Sequence, residues 1–373
     1  MKPLDVIQLT QELVAIKSES QISNAEVSDF LQQTLQGCGF AVERLEYRDP
    51  TGERKVSLAA KKGAGRGGLG FFSHSDTVPG EPGEWRPFEP VVADGRLIGR
   101  GSCDMKGPLA ATIVATAEID PARLRHPLFV VVTADEEVGF GGAYQVAAES
   151  QLLKAGWPQA AIVAEPTRLI PVYAHKGMAQ VTVTARGRSA HSSTGKGISA
   201  NFLIAPFLAE MADLAGLFQR DEQYMNHEFD PPTNGFNMAL NDGNCKPNVT
   251  AARTVCTLSL RTMPNDRHEA ALALILEKAR KYNLETTWRE LAPFYVDPEA
   301  EVVQAALNAA GHRARAETVP YGTEAIVFQP HAPCVVLGPG DIAQAHTVGE
   351  WVEVAELSRA VEVYRRLIER FCL

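Results

Sequence analysis

Short apolar runs in this chain repeatedly deliver a carboxylate or an imidazole at, or just beyond, their ends. Phe71-Phe72 leads into His74-Ser75-Asp76. Val130-Val131-Val132 leads into Asp135-Glu136-Glu137, and Ala161-Ile162-Val163 into Glu165-Pro166. Val335-Val336-Leu337 precedes a glycine-rich turn and then His346, while a glycine-flanked Asp104 opens an apolar segment. An open α/β sheet carries its chemistry at strand ends, so this placement restricts the fold severely. Two imidazoles and several carboxylates converging there suit a divalent transition metal, most often zinc. One carboxylate more than a single zinc needs suggests two metals sharing a bridge.

Bulk properties agree and exclude little else. The 373 residues can bury a large core, divided between two domains. A net charge of −9 argues against a nucleic-acid or anionic-membrane surface. Met1-Lys2-Pro3-Leu4-Asp5 lacks the pattern of a secretion signal. No apolar run approaches the roughly 20 residues that span a bilayer. Six scattered cysteines without a CxxC read as reduced thiols, and the expected location is cytoplasmic.

Local patterning gives the layout. Leu4, Ile7, Leu13 and Val14 recur with helical spacing. Asn24 is placed to N-cap a second helix carrying Val27, Phe30, Leu31 and Leu35, which Gly37 and Gly39 stop. Strands are expected near 41–47, 56–60 and 68–73. The glycine-rich stretch 63–68 reads as a hairpin turn, since it lacks the Lys-Ser/Thr and following helix of a phosphate loop. A helix at 105–118, a buried strand at 128–133, a helix at 142–149 and a buried strand at 161–164 follow. Such alternation implies a mixed, largely parallel sheet covered by helices.

After about residue 174 the texture changes. Val181, Val183 and Ala185 alternate inward against Thr182 and Thr184 outward, the pattern of a strand with one buried face. A helix at 199–217, strands at 235–240 and 250–261, a helix from Asp266 to about residue 282 and a strand at 285–289 describe an α+β layer. A buried strand returns at 334–337. The stretch 351–371 reads as a closing amphipathic helix with Val354, Leu357, Val361, Tyr364, Leu367 and Ile368 on one face. The fold class is therefore α/β: a catalytic domain of residues 1–175 and 292–373, interrupted by an α+β domain of residues 176–291.

Taken singly, each polar motif has a bland reading beside its chemical one. His74-x-Asp76 could be a surface turn, although a zinc-binding imidazole needs its other nitrogen held and Asp76 is near enough to help. Asp104 could cap a helix. Cys103 beside it is a poor ligand among hard carboxylates. Adjacent acids in Asp135-Glu136-Glu137 could decorate a helix N-terminus. Alternatively, one binds metal and the other stays free as a general base.

In order, the segments 73–79, 99–107, 135–139 and 164–166, then Gly338-Pro339-Gly340 with Gln344-Ala345-His346, form one pattern. The chain resembles the M20 family of co-catalytic zinc aminoacylases and peptidases along nearly its whole length. That resemblance implies a zinc-exopeptidase-like catalytic domain with an inserted lid and dimerisation domain. It implies two Zn2+ per subunit, with Co2+ as a substitute. His74 and Glu165 would hold one ion, Glu137 and His346 the other, and Asp104 would bridge them. Glu136 would be the general acid/base and Asp76 the acid behind His74. His191, in a small-residue loop at 187–193, would steady the oxyanion in the partner subunit of a homodimer; read without the family it is an ordinary loop histidine. Asn244, Asn248, Arg261, Gly338 and Gly340 match positions near the substrate.

Within the family, Gly322-Thr323-Glu324-Ala325 and the tail are similar to acetylornithine deacetylases. This implies deacetylation of N2-acetyl-L-ornithine in arginine biosynthesis. The alternative substrates are acetylcitrulline, acetyl-lysine, succinyl-diaminopimelate or a dipeptide. Glu324 would then select a cationic side chain, or else cap a helix starting near Ala325. The partner is a small N-acyl amino acid, with no nucleic acid and no membrane. An interaction protein without catalysis is the alternative of another class, and the intact Glu136 speaks against it.

Overall fold

The computed structural model describes residues 3–81, 83, 85–264, 268–311 and 315–373. The chain divides into two compact units: Met1–Tyr173 with Val296–Glu317 and Thr323–Leu373, and Ala174–Tyr295 with Thr318–Gly322.

In the first unit a mixed sheet runs in the order Ala41–Arg48, Arg54–Lys62, Leu128–Thr133, Leu69–His74, Ala160–Val163, Cys334–Val336. The last four strands are mutually parallel and the first two pair antiparallel. Every residue of Leu69–His74 and Leu128–Thr133 is buried, as continuous apolar runs require of a sheet covered on both faces. Helix Lys106–Ala117 is buried along almost its whole length, between Val6–Ala15 and the closing helix Val354–Cys372. The Tyr364 hydroxyl of that closing helix donates to the Leu337 carbonyl at 2.9 Å, just beyond a central strand. Parallel strands put their C-terminal ends on one edge. His74, the 135–137 turn, Glu165 and the 338–346 segment therefore emerge side by side.

Three local expectations change in this unit. Helix Ala25–Gly37 begins where expected, but Asn24 makes no capping bond. Its amide clamps the adjacent strand instead, donating to Val56 O and accepting from Val56 N, both at 2.8 Å. The stretch 63–68 is not a hairpin, because Leu128–Thr133 lies between the two strands it joins. The glycines carry the chain across the entry of that strand: at Gly68, with φ +81, an added Cβ would lie 1.9 Å from Pro127 O. Residues Trp351–Glu353 form a strand paired with Arg96–Ile98, so the closing helix starts only at Val354.

The second unit is a four-stranded antiparallel sheet in the order Asn237–Asn241, Arg253–Leu260, Met178–Arg186, Glu285–Leu291. Helices Ala200–Phe218 and His268–Lys281 share its core. The expected helix start at Asp266 lies outside the described residues. Thr184, on the face opposite Val183 and Ala185, is buried as well and not outward to solvent. Ala200, Ile204, Phe207, Met211, Leu214 and Phe218 form the stripe by which the longer helix packs. Its other face is also apolar, with Phe202 at 83% exposure. This corrects the sequence expectation: Ala200–Phe218, with only Glu210 and Asp213 charged, is long and apolar enough to cross a membrane by length and composition. All six cysteines are free thiols.

Candidate metal centre

The strand-end residues of the first unit gather into two overlapping groups. His74, Asp104 and Glu165 offer ligand atoms within 4.8 Å of one another, and so do Asp104, Glu137 and His346. Asp104 belongs to both groups. Its Oδ1 lies 3.1 Å from His74 Nε2 and its Oδ2 3.4 Å from His346 Nε2. Glu165 Oε1 is 3.6 Å from His74 Nε2, and Glu137 Oε2 is 3.0 Å from His346 Nε2. His74 Nδ1 donates to the Asp76 carbonyl at 3.0 Å, which leaves Nε2 as the metal-facing nitrogen.

Charge crowding is severe here. Loss of water, then the neighbouring carboxylates, holds Glu136 and Glu165 well above the ordinary carboxylate range and raises Glu137. Burial pushes Asp104 the same way, but hydrogen bonds from His346 and His74 outweigh it and hold Asp104 low. Divalent cations would relieve this crowding, and two imidazoles with carboxylates form a donor set that zinc accepts. The residues therefore fit a pair of bound ions.

Asp76 braces the turn that carries the acids. Its Oδ1 accepts from Glu136 N at 3.2 Å, and its Oδ2 from Glu137 N at 3.4 Å and Ser20 Oγ at 2.7 Å. Asp135, at φ +56, anchors the same turn from the other side. It accepts from Tyr47 Oη at 2.6 Å and pairs with the buried Lys55 ammonium at 2.9 Å. The segment 135–139 is thus a braced turn, and the next helix, Gly141–Glu149, begins beyond it. Likewise Met105, not Asp104, occupies the cap position of helix Lys106–Ala117. Cys103 is buried with its sulfur 3.3 Å from Asp341 O and stands outside both ligand groups.

One expected substrate contact, that of Glu324, is overturned. Gly338 and Gly340 sit where no side chain fits. An added Cβ would lie 2.3 Å from Ala164 O at Gly338 and 2.7 Å from Cys103 Sγ at Gly340. Glu324 is fully buried, and its Oε2 accepts the Thr133 hydroxyl at 2.6 Å, so it offers no surface to a substrate ammonium. Nor does its side chain cap the short helix Ala325–Phe328.

In the second unit, His191 is exposed and bridges Val249, and Ser192 N donates to Asn248 O at 2.9 Å. Asn244 is exposed at φ +56 in the preceding loop. Arg261 follows the far end of strand Arg253–Leu260. It therefore stands more than about 20 Å along the sheet from His191, at roughly 3.4 Å per residue.

The buried Glu324 yields a pH prediction for the metal-free chain. Burial pushes its carboxyl up to about 7 from the ordinary 4.5, against the opposing Thr133 hydrogen bond. Between those values the folded chain keeps a proton that the unfolded chain has released, so stability falls as pH rises through this window and then levels off. The stability advantage of wild type over Glu324→Gln should shrink by about 1–3 kcal/mol from about pH 5 to about pH 8. Urea unfolding at the two pH values measures it, and a constant difference would contradict the shifted pKa.

Sequence reasoning missed Glu350, Arg100, Lys55 and Tyr47. Glu350 accepts Cys103 N and Asp104 N at 2.9 Å on Oε1, and Gly101 N at 3.0 Å and Arg100 Nη1 at 2.7 Å on Oε2. A Lys at the start of an otherwise buried strand was the available signal for Lys55.

Residues 70–370 match peptidase family M20/M25/M40, and the chain belongs to that family of metal-dependent hydrolases. It is similar to the acetylornithine deacetylases of Myxococcus xanthus, at 36% identity over 97% of this chain and 96% of the relative, and of Proteus mirabilis, at 32% over 98% and 97%. In fold it is similar to a tripeptidase from Staphylococcus aureus, with TM-score 0.76 at 18% identity over 98% of this chain and 97% of that one. An M20 family metallo-carboxypeptidase from Sulfolobus solfataricus gives TM-score 0.75 at 15% identity over 98% and 99%.

Proposed function

We propose that the chain is a dinuclear zinc amidohydrolase that removes the acetyl group from an N-acetyl amino acid, N2-acetyl-L-ornithine foremost. The observation that carries this reading is Asp104 shared between two ligand groups, with the adjacent Glu136 outside both. Bound zinc supplies Lewis acidity and makes water a nucleophile near neutral pH. Glu136 takes a proton from the attacking water and returns it to the departing amine nitrogen. Asp76 holds Glu136 in place through its backbone N–H and fixes the His74 imidazole from behind. His191 donates to the oxyanion of the tetrahedral intermediate. The acetylornithine deacetylase relatives support the substrate, and the six free thiols suit a cytoplasmic setting.

Hydrolysis by the zinc-loaded protein decides the substrate. The panel comprises N2-acetyl-L-ornithine, acetylcitrulline, acetyl-lysine, succinyl-diaminopimelate and a dipeptide. The highest kcat/KM is expected for acetylornithine. A higher value for another member would replace the substrate and keep the chemistry. No hydrolysis of any member would overturn the reading.

The second unit is proposed as a lid through which two copies dimerise. Strand Asn237–Asn241 is a fully exposed sheet edge, and the outer face of helix Ala200–Phe218 is apolar. His191 is exposed in the loop that bridges Val249, open to a second copy. In this reading His191 serves the partner's site, as the family resemblance implies. Mixed Glu136→Gln and His191→Ala subunits should regain activity in heterodimers. No recovery despite demonstrated subunit exchange would rule out a shared site.

A further inference from the structure

Glu350 performs no step of the proposed reaction, yet it joins two parts of the centre. It lies four residues after His346 in the sequence. It is fully buried, and its partner Arg100 is 2% exposed. Its carboxylate meets four donors from the segment that carries Asp104, three of them backbone N–H groups. Its backbone carbonyl accepts Gly99 N at 2.9 Å and Ser102 Oγ at 3.4 Å. One residue therefore ties the Asp104 loop to the turn bearing His346.

The two ligand groups differ in how firmly they are built. His74 ends a central strand and Glu165 follows another, and both are buried. The His346 side chain is half exposed in an irregular segment at φ +61. Of the two, the group containing His346 depends more on an outside brace.

We propose that Glu350 is a positioning residue that fixes Asp104 relative to His346, and so sets the metal affinity of the Asp104–Glu137–His346 group selectively. The inference rests on the dinuclear reading. Only a carboxylate satisfies the arrangement, because its two oxygens receive four donors. Glutamine has one acceptor oxygen and would turn its NH2 group toward other donors. Partners that orient metal ligands typically change affinity by about 10–100-fold when lost.

The test titrates chelator-stripped protein with Zn2+ against a chromophoric competitor. Wild type, Glu350→Gln, Glu350→Asp and His346→Ala are compared, with folding followed by circular dichroism. His346→Ala identifies the ion held by the His346 group. In Glu350→Gln that same ion should bind at least about 10-fold more weakly, with the other changed by less than about 3-fold. Glu350→Asp keeps the charge and should show a smaller loss at the same ion, which decides the matter if the Gln variant does not fold. Equal weakening of both ions, or no weakening in a folded variant, overturns the role of Glu350 alone. A wild-type chain that takes up fewer than two ions overturns this proposal together with the dinuclear reading.

Discussion

Replacing Glu136 with Gln is expected to leave both ions bound and to lower kcat by at least about 10²-fold, the lower end for a general acid/base group. Gln keeps the shape of the side chain and its backbone N–H bond to Asp76, so the turn should persist. What disappears is a group able to accept a proton. Glu136 sits beside Glu137 but outside both ligand groups, so its loss should not empty the centre. Zinc content by elemental analysis and steady-state kinetics on acetylornithine, measured on one preparation, separate the two effects. Near-wild-type turnover would remove Glu136 from the mechanism. Loss of zinc alongside activity would make Glu136 a ligand instead.

Asp104→Ala should act in the opposite order, emptying the centre first. Asp104 is the one residue common to both groups, so its loss leaves each with two protein ligands. It also removes the acceptor facing both His74 Nε2 and His346 Nε2. Activity should fall by at least about 10³-fold, since metal ions contribute several kcal/mol to such reactions. Competition titration should show both ions weakened. A variant that still bound two ions with wild-type affinity would show that Asp104 does not bridge.

The residues gathered at the centre were legible because each announces itself locally. His74 ends one apolar strand, Glu137 and Glu165 follow two others within a few positions, and these three strands prove parallel. Alternation of strands and helices gave the sheet for the same reason. Information carried by distant parts of the chain was not legible. Glu350 braces Asp104 from 246 positions away, and Asp135 meets Tyr47 from 88. The 63–68 stretch looked like a hairpin because nothing in its own sequence reveals that Leu128–Thr133 inserts between its flanking strands. Glu324 was misjudged for a related reason. Its motif gave its order along the chain, but only packing against Thr133 decides that the carboxyl is closed off.

The proposed function stands on a two-metal centre bridged by Asp104. Anomalous diffraction from crystals of the zinc-loaded protein, collected on both sides of the zinc edge, tests it most directly. Two zinc peaks roughly 3.5–4 Å apart are expected, with Asp104 between them, His74 and Glu165 on one, Glu137 and His346 on the other, and Glu136 on neither. A single peak at full zinc loading, or peaks ligated by other residues, would contradict it.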